Sequence, residues 1–189
     1  NESRISTSFA VQNTNLDAKV SGSRASYIDN FFTSEGLSSS ATTADFVEYK
    51  VGAAYSFDTL NKAFFPTDGT RHRLSFDLSI PGSDLEYYTA SYLGETYIPV
   101  LEQEDVSLKF KTRLGYGDGV GDSQGLPFLK NFFAGGIRTV RGYTYNSLGP
   151  TDSNGEQIGG NVLITGTAAL QFPMPGVKET DQARLSLFG

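Results

Sequence analysis

Strict alternation of apolar and polar residues, repeated in seven segments, is the feature that most limits what this chain can become. Side chains of an extended strand point to opposite faces in turn, so each such run has one greasy face and one polar face. In 46–58, Val47, Tyr49, Val51, Ala53, Tyr55 and Phe57 share one face, while Glu48, Lys50, Gly52, Ala54, Ser56 and Asp58 share the other. The run 71–80 sets Leu74, Phe76, Leu78 and Ile80 against Arg73, Ser75, Asp77 and Ser79. The run 105–117 sets Val106, Leu108, Phe110, Thr112, Leu114 and Tyr116 against Ser107, Lys109, Lys111, Arg113 and Gly115. Fainter alternation marks 4–12, 85–98, 161–172 and 183–189, and no segment has convincing helical periodicity.

The connections predict antiparallel neighbours. Pro66-Thr67-Asp68-Gly69 and Pro81-Gly82-Ser83-Asp84 carry the residues of tight turns. Longer Ser-, Gly- and Asn-rich stretches fall at 13–44 and 118–160; if strands alternate in direction, both lie at the same end of the sheet. An all-β antiparallel fold follows, either a soluble β-sandwich or a transmembrane barrel. Three features favour the barrel: strands often longer than the usual length of about five to six residues, a polar face mixing charges with small residues, and aromatics such as Tyr55, Phe57 and Tyr116 near strand ends. No apolar stretch reaches the roughly 18 residues of a transmembrane helix, but a spanning strand needs only about 9–11 alternating ones.

Composition narrows the function. The formal charge of −6 and the absence of basic runs argue against nucleic acid, and the lack of Cys removes disulfides, thiolate metal sites and thiol nucleophiles. Gly121-Asp122-Ser123-Gln124-Gly125 matches the G-x-S-x-G string of serine hydrolases, but Leu126-Pro127 follows with no helical pattern, and a Gly-rich loop explains it better. His72, the one histidine, reads as a solvated residue near a strand end rather than a ligand or base. Asp152-Ser153-Asn154-Gly155-Glu156 lacks the full spacing of a calcium loop. No enzyme, metal or cofactor is expected. Asn1-Glu2-Ser3-Arg4 is polar and runs straight into a strand, so a processed, truncated or excerpted start is expected.

One connection is unlike a solvated loop. Phe132, Phe133, Ile137, Val140 and Tyr143 crowd 131–150 among glycines, including Gly135 and Gly136. Such a segment either packs against something or is an aggregation hazard. Folded into a barrel lumen it would bury its aromatics, with Arg141 finding a carboxylate or carbonyl partner; the alternative is an external loop with Arg141 solvated.

At this loop the sequence resembles the outer-membrane insertase superfamily, whose hallmark is a V-R-G-[FY] tetrapeptide in a loop folded back into the barrel. Val140-Arg141-Gly142-Tyr143 matches it, preceded by Phe133-Ala134-Gly135-Gly136 and followed by Asn146-Ser147-Leu148-Gly149-Pro150. Phe64-Phe65-Pro66-Thr67-Asp68-Gly69-Thr70-Arg71, Ile80-Pro81-Gly82-Ser83-Asp84 with Glu86-Tyr87-Tyr88, and Gly115-Tyr116-Gly117-Asp118-Gly119 are similar to the BamA family in particular. The resemblance is clear over about 45–172. It implies a bacterial outer-membrane barrel of sixteen strands that folds and inserts other β-barrel proteins without covalent chemistry. It also implies contact with the lipid bilayer, periplasmic POTRA domains, assembly lipoproteins bound through them, and a seam between first and last strands. Residues 1–189 would supply about seven strands from the middle to later part of that barrel, with neither seam strand and no POTRA domain. The tetrapeptide is shared with TamA and the two-partner secretion transporters, so a protein-secreting or passive pore stands as the alternative. In the family the loop Arg pairs with acidic residues on the two following strands. Here the first such place is Gln171, a neutral amide, and the second would fall past Gly189.

Overall fold

A computed structural model describes residues 2–17, 43–101, 106–121, 125–151, 155, 157–174 and 184–189. The seven expected strands form: β1 (Glu2–Asp17), β2 (Thr43–Asp58), β3 (Gly69–Ser79), β4 (Tyr87–Leu101), β5 (Val106–Gly119), β6 (Val162–Pro173) and β7 (Arg184–Phe188). They lie side by side in chain order in one antiparallel meander, as neighbours joined by hairpin connections must. The sheet is open, with β1 and β7 at its edges. Strand pairing claims part of both stretches expected to be loops: β1 runs to Asp17, and β5 to Gly119. The rest of the first connection, 18–42, lies outside the described residues, as do Asp122, Ser123 and Gln124 and all but Gly155 of the 152–156 stretch.

Burial is inverted relative to a soluble sandwich. The apolar faces are bare: Ile5 is 77% exposed, Leu74 52% and Ile164 76%. Phe9 on β1, Phe76 on β3 and Phe110 on β5 are also exposed. Cross-strand pairing puts these residues on one face, for example Phe9 opposite Val51 and Phe110 opposite Ala168. The buried residues Phe46, Glu48, Tyr87, Tyr97, Ser107, Leu163, Thr165 and Ala169 occupy the other, polar face. A sheet that buries its polar face and leaves its greasy face open is stable where the outer solvent is lipid. Phe76, Tyr88 and Tyr116 form a chain of ring contacts at 6.2 and 6.0 Å on the outer face, in keeping with an aromatic girdle that lacks Trp.

His72 corrects its sequence reading. It is not a solvated residue: its ring stacks between Phe57 (6.5 Å) and Tyr92 (6.0 Å), and its Nδ1 lies 2.8 Å from the Tyr92 hydroxyl. It sits on the outer face because its register pairs it with Phe57 and Gly94.

The two turns are built as their residues suggest. Asn61 Oδ1 accepts the backbone N–H groups of Thr67 and Asp68, closing the connection between β2 and β3. Asp84 Oδ2 and Ser83 Oγ accept from the N–H groups of Val47 and Tyr49, so the turn between β3 and β4 continues the edge of β2. Strand parity places this second turn, the end of β1, the start of β2 and the end of β5 at one end of the sheet.

Candidate functional site

The described residues between β5 and β6 do not stand away from the sheet. They fold back over the polar face, and two glycines on that face make room for them. Phe132 lies so close to Gly115 that an added Cβ would come within 2.8 Å of its ring, and Leu126 would meet a Cβ on Gly117 at 3.0 Å. Gly115 and Gly117 are inner-face residues of β5, opposite Ser91 and Thr89 of β4. Side chains there would fill the volume that the loop's apolar residues use. The polar face is therefore the inner one.

A single 3-10 turn, Phe128–Lys130, opens the docked part, the root of the loop. From it Lys130 Nζ reaches Glu48 Oε1 at 3.0 Å on β2, while the Tyr87 hydroxyl donates to Glu48 Oε2 at 2.9 Å. The Glu48 side chain is fully buried. Sequence reasoning placed Glu48 on the polar face but did not join it to Lys130. The signal available was a lone lysine amid Phe128, Leu129, Phe132 and Phe133.

Beyond the root the chain turns back on itself. Phe132 and Gly160 form a small bridge, as do Ala134 with Leu148 and Gly136 with Val140. The turn is closed by Thr139: its hydroxyl accepts from the Gly135 N–H at 2.9 Å and donates to the Gly135 carbonyl at 2.8 Å. Gly135 has φ +114°, and a Cβ there would collide with the Thr144 carbonyl, so this position is closed to other residues. Gly136 and Gly142 also have positive φ. The turn touches the wall through backbone carbonyls: Lys111 Nζ donates to Arg138 O at 3.5 Å, and Thr167 Oγ1 to Thr139 O at 3.3 Å.

The VRGY residues sit at this tip. Val140 is half-buried, while Arg141, Gly142 and Tyr143 are exposed, as are Ile137 and Tyr145. The structure thus buries the loop's aromatics only in part, at Phe132 and Phe133. Arg141 and Gln171 line the same cavity of about 70 Å³, with Lys109, Lys111, Thr167 and Ser186. Yet the guanidinium does not bond to the amide: it stacks on the Phe188 ring of β7, 4.6 Å from the centroid. Gln171 Oε1 is buried and makes no hydrogen bond to the described residues. Among the described residues no cluster of His, Cys, Asp or Glu could hold a metal.

An outward apolar sheet, an inner polar face and an inward loop bearing the VRGY tip make a specific combination. Residues 1–189 match the family model of the Omp85 superfamily domain. The chain belongs to the Omp85 superfamily. It is 35% identical over 144 residues to the outer membrane protein assembly factor BamA of Neisseria meningitidis serogroup B, across 74% of this chain and 18% of that protein. A SAM50-like protein of Schizosaccharomyces pombe is 26% identical over 148 residues, covering 76% of this chain and 30% of the relative. The sheet superposes on crystalline BamA from Haemophilus ducreyi lacking POTRA domains 1-3 with a TM-score of 0.79 at 22% identity, over 97% of this chain and 37% of that one. The chain therefore spans about a fifth to a third of the curated relatives it matches. It is a partial Omp85-superfamily barrel and an outer-membrane protein, similar in sequence and fold to BamA.

Proposed function

We propose that residues 1–189 are a single stretch of barrel wall, with its inward loop, from a machine that folds and inserts β-barrel proteins into the bacterial outer membrane. One observation carries the reading: the VRGY-bearing loop is held on the inner wall of an Omp85 sheet rather than projecting outward. Val140, Arg141, Gly142 and Tyr143 are the functional tip, and Gly135 and Gly136 shape the turn that presents it. No covalent step is required, because a client strand gains its own hydrogen bonds and lipid burial on insertion, and the machine need only lower the barrier. Its partners are unfolded outer-membrane proteins, the bilayer, and assembly lipoproteins reached through POTRA domains elsewhere in the polypeptide. The full barrel would have sixteen strands.

The role of Arg141 is to brace the tip against β6 and β7. Its stacking on Phe188 and its place beside Gln171 support this, and Gln171 is the residue to which the guanidinium would swing. The test is the full-length protein in proteoliposomes with a urea-unfolded outer-membrane barrel as client, followed by heat-modifiable gel mobility. Client folding should be accelerated, and Arg141→Ala should slow it several-fold while leaving the protein's own barrel folded. Client folding no faster than in empty liposomes, together with a large steady conductance, would instead assign a pore.

A further inference from the structure

We propose that Glu48 is the positioning residue for the loop: it is half of a charge pair built into the wall, and Lys130 on the loop is the other half. A carboxylate with no exposed side-chain surface cannot be left without a counter-charge, because desolvation of an unpaired ion is costly. Among the described residues the wall does not supply an equal one. Lys50, the nearest other cation, is 4.0 Å from Glu48 Oε2 and donates to Gln12 Oε1 at 2.9 Å. Lys130 makes the short contact, at 3.0 Å, and its ammonium also lies over the Tyr87 ring, 5.5 Å from the centroid.

The receiving site is held together by contacts within the wall. Tyr87 holds the second carboxylate oxygen, and Tyr87 is itself held by Ser79, whose hydroxyl accepts from the Tyr87 N–H at 2.6 Å and donates to its carbonyl at 3.0 Å. Three adjacent strands thus hold one carboxylate with its Oε1 toward the loop lysine. The inward position of the loop gives this carboxylate its shortest cationic contact, so the pair favours that position over others the long connection could adopt. Its consequence for client insertion rests on the assembly reading above.

The test uses the full-length protein in lipid with Thr89→Cys and Leu126→Cys, two side chains that each lie 3.0 Å from where a Cβ on Gly117 would stand, joined by a short thiol crosslinker. The unaltered pair should crosslink in high yield. Glu48→Lys or Lys130→Glu should lower the yield at least threefold, and the double swap should restore it. Client folding should follow the same order. Single variants that crosslink like the parent, or a double swap that restores nothing, would overturn the proposal. If Glu48→Lys prevents the barrel from folding, Lys130→Met carries the test, with the same threefold loss expected and an unchanged yield contradicting the pairing. Lost crosslinking with undiminished client folding would leave the positioning role standing and reject its link to assembly.

Discussion

The root and the tip of the inward loop are held in different ways. The root combines a buried ion pair, Lys130 with Glu48, and apolar side chains seated on Gly115 and Gly117. The tip rests on long hydrogen bonds to its backbone carbonyls and on one guanidinium stacked over Phe188. Buried charge pairs are costly to break from one side, whereas exposed stacking contributes about 0.5–1 kcal/mol. The difference separates two tasks. The root fixes where the loop lies, and the tip, with Ile137, Tyr143 and Tyr145 uncovered by this part of the wall, is left to present residues inward.

The strongest way to break this comparison is Lys130→Ala, which strands the Glu48 carboxylate. It should cost about 3 kcal/mol in denaturant unfolding of the lipid-reconstituted barrel, at the low end for a buried pair because Lys50 is near enough to help. Gly115→Val comes next. It places methyl groups where the Phe132 ring lies and should cost about 1–3 kcal/mol, and adding Phe132→Ala should recover part of that loss in a double-mutant cycle.

Thr139→Val sharpens the contrast from the other side. It keeps the shape but removes both hydroxyl bonds to Gly135, so a loss of about 1–2 kcal/mol should show as faster amide exchange at Gly135 with no change at the root. A smaller structural effect is expected for Arg141→Ala, below about 1 kcal/mol in unfolding, although client folding should slow several-fold. Arg138→Ala should be silent in both assays, since its hydrogen bond from Lys111 uses the backbone carbonyl alone.

Much of the sheet was legible in the sequence because strand side chains have a period of two that burial on either face preserves. The 46–58 run fixed the face of every residue of β2 from Phe46 onward, and the turn residues at 66–69 and 81–84 fixed where neighbouring strands reverse. What the pattern lacks is distance across the wall. Glu48 and Lys130 lie on elements far apart in the chain, and which lysine reaches a given carboxylate depends on how a loop lies, not on alternation. His72 was misread for a related reason: a polar residue in an apolar row looks solvated until its cross-strand neighbours prove to be Phe57 on one side and Gly94, with Tyr92 leaning over it, on the other. For Arg141, the motif gave the loop and its inward course. It did not give the Phe188 ring, because an aromatic platform has no carboxylate signature.

The central claim, that the greasy face of this sheet meets lipid while the loop-covered face is enclosed, is tested most directly by nitroxide labels scanned along 74–78 of the full-length protein in bilayers. The account predicts high oxygen and low aqueous-relaxant accessibility at Leu74, Phe76 and Leu78, with both falling out of that pattern at Ser75 and Asp77. Uniform accessibility along the strand, or oxygen contact greatest at Ser75 and Asp77, would contradict it.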